Sequence, residues 1–212
     1  MKYYLLEDIV RDTRLILDLN LSSEILTEIG DVDTLSTDEV IRSKVVDAVK
    51  RVHCEAPAHL LDGGHNFGDA VYWKDNVCGW VLLPEDFMRF VVFEMDDWAC
   101  PVFVALDTDH PLYVRQSSRF HGIRGNPQRP LCFISVRPEG RVLEFYSCKS
   151  QSALVSRGVY LPYPGIDANG GIEICMRCYD AVVYTTAALA STAFGDVQNS
   201  ATFFDLAKSV LL

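Results

Sequence analysis

The chain has 212 residues, of which 49% are hydrophobic, and it carries a formal net charge of −10. A chain of this length can bury a substantial core as one domain, so its folding needs no disulfide or metal ion. The acidic balance argues against a general duplex-DNA binder, and no apolar run approaches the roughly 18 residues needed to span a bilayer.

The first part of the chain predicts two helices. Apolar residues recur with an imperfect helical period from Leu5 to Leu19, and the polar stretch Thr27 to Thr34 predicts a loop. Ser36 with Glu39 three residues later forms a capping-box pattern at the start of the second helix. The apolar side of this helix is rich in valine: Val45, Val49 and Val52.

The middle of the chain predicts a β module. The turn-rich stretch Asp62 to Asp69 predicts a loop. Pro138-Glu139-Gly140 separates two apolar runs and predicts a hairpin. The strands predicted from apolar, β-branched and aromatic runs are 71–73, 79–83, 87–95, 101–105, 131–136, 141–148 and 159–163.

The C-terminal part returns to a helical pattern from Glu173 to Thr192, and Asp196 begins a further helix after Gly195. We expect an α+β fold in which the terminal helices form a bundle and a mainly antiparallel β module is inserted between them. The predicted parts are residues 1–60, 61–170 and 171–212, with the first and last sharing one core. Its expected members are Val45, Val49, Val52, Val182, Val183 and Leu206.

Cys175-x-x-Cys178 is the strongest indication of enzymatic chemistry. Two cysteines at this spacing can form a redox pair or contribute to a zinc site, and they can also be packed core residues, which is the reading we prefer. The seven cysteines are odd in number and scattered, unlike a secreted disulfide framework. Asp107 to His110 has oxygen ligands suited to a hard cation, but Asp in such a position is more typical of a turn. No nucleophile elbow or phosphate-binding loop is present.

Charge is distributed unevenly along the middle of the chain. From Glu85 to Asp109 there are seven acidic residues and one basic residue, Arg89, whereas Pro111 to Pro138 contains five arginines and no acid. The two segments are either differently charged solvated faces or complementary patches on neighbouring subunits. In the second case the interface residues would be Asp96, Asp97, Arg115, Arg119, Arg124 and Arg129.

Two short segments resemble head–tail connector (adaptor) proteins of tailed phages and prophages. One is Leu83-Pro84-Glu85-Asp86-Phe87, which resembles an LP-[DE]-D-F pattern. The other is Arg124-Gly125-Asn126-Pro127-Gln128-Arg129-Pro130, which resembles RG-x-P-x-RP. About 50 residues carry this resemblance as motifs, and the order helix, β module, helix extends it over most of the chain.

The resemblance implies a virion structural protein that forms a ring between the portal and the tail. Its partners would be other copies of itself and the portal and tail proteins, with DNA only passing through the channel. It implies no enzymatic activity, cofactor, metal, membrane or small-molecule substrate. We would then expect the protein in the host cytoplasm before assembly and in the virion afterwards.

Two other functions remain open from the residues. One is a small cytosolic enzyme or metal or redox protein that uses Cys175 and Cys178. The other is a ligand-binding module that holds its ligand between the loop Asp62 to Asp69 and the aromatic face of the β module.

Overall fold

The structure, a computed structural model, describes residues 1–17, 36–118, 120 and 122–212. It divides into two compact units. The helical unit comprises Met1–Gly63 and Tyr163–Leu212, and the β unit comprises Gly64–Pro162. The β unit starts three residues later and ends eight residues earlier than the predicted range 61–170. The predicted α+β class is confirmed.

Both units are described with one set of element labels in chain order. The helices are α1 (Leu6–Ile16), α2 (Thr37–Glu55), α3 (Pro111–Arg115), α4 (Tyr179–Ala193) and α5 (Val197–Val210). The strands are β1 (Lys2–Leu5), β2 (His65–Asn66), β3 (Val71–Trp73), β4 (Gly79–Leu82), β5 (Phe87–Met95), β6 (Leu106–Asp107), β7 (Cys132–Arg137), β8 (Gly140–Phe145), β9 (Val155–Pro162) and β10 (Gly171–Ile174).

Helix α2 begins where its capping box predicts. The Ser36 hydroxyl accepts a hydrogen bond from the Glu39 backbone N–H at 3.3 Å, and the Glu39 carboxylate accepts one from the Ser36 N–H at 2.8 Å. Two N–H groups that the first turn would otherwise leave without partners are thereby satisfied.

The core of the helical unit lies where α4 packs against α1, α2 and α5. Val45, Val49 and Val182 are fully buried there. Leu206 does not join this core, because its side chain remains 40% exposed. Helix α5 instead turns Ser200 and Ala207 inward, which lie seven residues apart on one face. Leu211, directly after the helix, is also buried.

The prediction of a helix from Glu173 was wrong at its start. Residues Gly171–Ile174 form β10, which pairs antiparallel with β1 at the beginning of the chain. A 3-10 turn, Met176–Cys178, follows, and α4 begins only at Tyr179. Strand β1 was also missed, because its partner lies about 170 residues away and local periodicity cannot reveal such a pairing.

The β unit contains a five-stranded sheet in the order β3-β4-β8-β7-β6 and a three-stranded sheet in the order β2-β9-β5. All pairs are antiparallel except β6 with β7. One face of the five-stranded sheet contributes Val81, Leu143 and Phe145 to an apolar core that also contains Phe87 and Phe93 of β5. The two sheets therefore share one core.

The predicted strand 101–105 is absent from the structure. Only Val102 pairs with β5, through a bridge to Phe93. The chain then leaves β5 and joins the other sheet at β6, so Phe103 and Val104 are 55% and 68% exposed. Their apolar character therefore does not reflect a buried strand.

None of the helices in the described ranges is both long enough and apolar enough to cross a membrane.

Candidate partner-binding site in the β unit

The arginine-rich segment, residues 111–138, begins with the short helix α3. Pro111 occupies its first turn, and His110 Nδ1 accepts a hydrogen bond from the Leu112 N–H at 3.2 Å. Proline is favoured at this position because its missing N–H would have no partner there. The helix ends at Arg115, whose side chain is exposed.

Gln116 holds the described part of the following loop, residues 116–118, 120 and 122–131, against α3. Its side chain is only 5% exposed; its Nε2 donates to the Leu112 carbonyl and its Oε1 accepts from the Gly125 N–H, both at 2.8 Å. A Cβ atom at Gly125 would lie 2.7 Å from Ser147 Oγ. That hydroxyl accepts the Leu131 N–H at 3.0 Å. The loop is thus fastened to the residues next to β7 and β8.

The second half of the loop is a tight turn around Pro127. The Asn126 side-chain oxygen accepts hydrogen bonds from the N–H groups of Gln128 and Arg129, each at 3.1 Å. Asn followed by Pro is a favoured start for such a turn. The Pro127 carbonyl accepts the Ala99 N–H at 2.8 Å, so the turn is docked on the segment that follows Trp98.

A cavity of about 470 Å³ opens in this segment. That volume is in the range of small-molecule pockets, about 300–1,000 Å³. Of the lining residues that the structure describes, the charged ones are Arg124 and Arg129. The complete described lining is Leu112, Gly122, Ile123, Arg124, Gly125, Asn126, Gln128, Arg129 and Leu131. We call it the basic cavity.

Apolar side chains of the same segment face solvent. Val114, Phe120 and Ile123 are 74%, 71% and 50% exposed. In the described ranges, neither Arg115 nor Arg129 forms an ion pair with a carboxylate. Arginine and exposed aromatic or aliphatic residues together are typical of protein interfaces. The predicted interface residue Arg119 lies outside the described residues.

Arg124 is half-buried and acts electrostatically on Asp75. Burial raises the pKa of Asp75. Hydrogen bonds from the N–H groups of Val77 and Cys78, together with the nearby Arg124 charge, outweigh this effect and leave the pKa below its ordinary value. Arg124 therefore has a local electrostatic role, whereas Arg129 is the more accessible cation of the basic cavity.

Asp96 and Asp97 use their carboxylates inside the chain. Asp96 Oδ1 accepts the Leu154 N–H at 3.0 Å, and Asp97 Oδ2 accepts the Lys149 N–H at 2.5 Å. Both acids hold the loop between β8 and β9. They also lie two and three residues before Ala99, which contacts the arginine-rich loop. The structure thus places Asp96 and Asp97 beside that loop in the same subunit.

A buried carboxylate that sequence reasoning missed lies in β8. Glu144 is 4% exposed and accepts hydrogen bonds from Ser135 Oγ at 2.7 Å, from Arg137 at 2.9 and 3.1 Å, and from the hydroxyl of Tyr146. Burial raises its pKa, but these donors outweigh burial and the pKa lies below its ordinary value. The sequence signal that could have revealed Glu144 is its position as the single acid in an apolar strand, Arg141-Val-Leu-Glu-Phe.

Arg137 also connects this carboxylate to an aromatic stack. Its guanidinium lies 3.9 Å from the ring centre of Trp80, and the Trp80 ring stacks on Tyr72 at 5.9 Å. Ser135 and Arg137 both lie on β7, the strand that pairs with β8, so these partners of Glu144 are held in place by the sheet. Such an arrangement is characteristic of a structural network.

Cys175 and Cys178 are fully buried. The Cys175 N–H donates to Nε2 of the buried His53 at 3.1 Å. Hydrogen bonding to Cys178 and burial together raise the pKa of the Cys175 thiol well above its ordinary range. Within the described ranges, no group of three or more His, Cys, Asp or Glu side chains could hold a metal ion. These observations favour packed core thiols.

Replacing both cysteines by alanine should cost only packing energy, on the order of 1 kcal/mol for each buried side chain. Urea unfolding of the double variant measures this cost. In the native wild type, a thiol reagent should label Cys54 and Cys100 rapidly, because these two are exposed. Rapid labelling of Cys175, or stoichiometric zinc in elemental analysis, would contradict the core assignment.

The two remaining candidate regions are accounted for by local structure. Asp107 belongs to β6, and its carbonyl accepts the His110 N–H at 3.1 Å in the turn that leads into α3. In the predicted loop 62–69, His65 and Asn66 form β2, which pairs with β9.

No protein-family model matches this sequence, and a search among curated proteins found no match either.

Proposed function

We propose that this protein is a phage or prophage virion structural protein, a head–tail connector subunit that assembles as a ring between the portal and the tail. Its action is assembly, without catalysis. It is present in the host cytoplasm before assembly and in the virion afterwards.

The arginine-rich segment of the β unit is the observation that carries this proposal. It combines the basic cavity and solvent-exposed apolar side chains on a loop that Gln116 holds in place. Two of its arginines, Arg115 and Arg129, are exposed and form no ion pair within the described ranges. A preorganised surface of this kind loses little conformational entropy when a protein partner binds. The same segment carries one of the two motifs that resemble connector proteins.

The net negative charge of the chain is compatible with DNA that moves through the ring without being bound tightly. A subunit that gripped phosphates through many cations would bind DNA in a salt-dependent manner and oppose its movement. With a net charge of −10, we expect the ring to repel DNA on average and let it pass.

Replacing Arg129 by glutamate should leave the chain folded and reduce its incorporation into particles at least about tenfold, since an interface arginine at a central position typically contributes about 2 kcal/mol. The measurement is reconstitution on purified portal-containing heads, followed by quantification of bound subunit. Arg42→Glu, which makes the same charge change at an exposed position of α2, is the matched control. Equal incorporation of both variants, or no binding of wild type to heads, would contradict the proposal.

A further inference from the structure

We infer that the basic cavity of one copy receives the acidic turn around Glu85 from a second copy, so that copies of this chain associate head to tail. This inference rests on the proposed function and deepens it, since it names the partner of the arginine-rich segment and the residues that meet.

The five-stranded sheet separates the two surfaces. Strand β7 begins and β8 ends beside the arginine-rich loop, where Leu131 donates to Ser147. At the other end of these strands lie the hairpin that contains Glu139 and the turn that contains Glu85. The Leu83 N–H donates to the Arg141 carbonyl at 3.0 Å and holds that turn beside the hairpin. Six residues of strand place the two ends about 20 Å apart.

The acids at the far end are available to a partner. Glu85 and Glu139 are exposed, and neither forms an ion pair within the part of the chain that the structure describes. Asp86 differs, since it accepts a hydrogen bond from the Tyr160 hydroxyl at 2.8 Å. Asp86 is exposed as well, so the outward negative charge of this end comes from Glu85, Asp86 and Glu139.

Two arginines at the same end are engaged inside the subunit. Arg137 binds the buried Glu144. Arg141 lies over the Phe87 ring at 5.3 Å and donates to the Phe87 carbonyl at 3.5 Å. Arg137 is thereby paired with a carboxylate of its own chain. Arg141 is exposed, but its guanidinium is directed onto Phe87 of its own chain, which leaves the glutamates to face an incoming copy.

Glu85 and Glu139 lie at the other end of the sheet from Asp96 and Asp97. The latter pair holds the loop 149–154 and lies on the same side as the arginine-rich loop. A ring requires a heterologous contact, in which two different patches of identical subunits meet. Patches at opposite ends of one sheet satisfy this requirement, because a subunit can then engage a different neighbour at each end.

The chemistry of the two surfaces also matches. The basic cavity combines the arginines with apolar walls from Leu112, Ile123 and Leu131. The incoming turn carries the Glu85 carboxylate close in sequence to Leu82, which is 38% exposed. A guanidinium can bind a carboxylate through two parallel hydrogen bonds, and the apolar walls can cover the leucine.

The test uses the full chain with a benzophenone amino acid in place of Gln128, an exposed residue of the cavity lining. Unlabelled and ¹⁵N-labelled copies are mixed, irradiated and digested, and mixed-isotope peptide pairs identify links between copies. We expect links from position 128 to peptides that contain Glu85 or Glu139. Arg129→Glu should reduce their yield at least about fivefold, and Arg42→Glu should not change it.

Combining Arg129→Glu with Glu85→Lys and Glu139→Lys in one chain should restore part of the yield of links. The rescue should be partial because each exposed ion pair contributes little, and added salt should weaken it. Links between copies that map elsewhere, no links at all, or no rescue would overturn the inference. The same reaction on portal-containing heads separates the two proposals. Incorporation with links only to portal peptides would support the connector function and overturn the contact between copies. Links between copies without incorporation would support the contact and overturn the connector function.

Discussion

Replacing Glu144 by leucine should destabilise the β unit by about 3 to 5 kcal/mol, because the partly buried Arg137 guanidinium and two hydroxyl groups lose their acceptor together. Arg137, Ser135 and the hydroxyl of Tyr146 would lose the acceptor that they share. All three tryptophans of the chain, Trp73, Trp80 and Trp98, lie in the β unit. Urea unfolding followed by tryptophan fluorescence therefore reports on this unit.

Glu139→Gln is the control for this prediction, since Glu139 is exposed in a hairpin turn and surface changes usually stay within about 0.5 kcal/mol. If the Glu144 and Glu139 variants unfold at the same urea concentration, the network contributes nothing measurable to stability.

The contribution of Glu144 should also depend on pH. Its pKa in the folded state lies below the ordinary value, which is about 4.3 in an unfolded chain. The ionised carboxylate therefore stabilises the fold above about pH 4.3, and this stabilisation is lost as the pH falls through the folded-state pKa. Glu144→Gln has no such group. The difference in unfolding free energy between wild type and Glu144→Gln should be largest near neutral pH and shrink on acidification.

Phe145→Ala should cost a similar amount, about 3 to 5 kcal/mol, through the cavity left in the shared core of the two sheets. The Phe145 side chain is fully buried, and its ring centre lies 5.5 Å from that of Trp73 and 6.0 Å from that of Phe93. Gly79 on the neighbouring strand makes room for it, because a Cβ there would lie 2.7 Å from the ring.

Phe103→Ala makes the same chemical change at a position that is 55% exposed and provides the matched control. We expect its unfolding free energy to stay within about 0.5 kcal/mol of wild type. A Phe145 variant that is no less stable than the Phe103 variant would mean that the two sheets do not depend on this ring.

Local sequence signals predicted those elements whose determinants are close together in the chain. The Ser36–Glu39 box predicted the start of α2, and the apolar run Phe87–Met95 predicted the whole of β5. Strands β1 and β10 depend on each other across most of the chain, so neither has a local signal. The five residues of α3 are too few to show a helical period.

The candidate site was predictable in composition but not in geometry. The excess of arginine between residues 111 and 138 was visible in the sequence. That Arg124 and Arg129 line one cavity depends on the Gln116–Gly125 hydrogen bond, which joins residues nine positions apart. The engagement of Asp96 and Asp97 by N–H groups more than 50 residues away could not be inferred from charge alone.

The pairing of β1 with β10 has a consequence for the order of events on the ribosome. The first two helices emerge long before α4, which covers their apolar sides, because the whole β unit is synthesised in between. At about 5 to 20 residues per second, those roughly 100 residues take about 5 to 20 s. During this interval the nascent N-terminal segment exposes valine side chains that chaperones could bind. The β unit contains all of its own strands and can fold first.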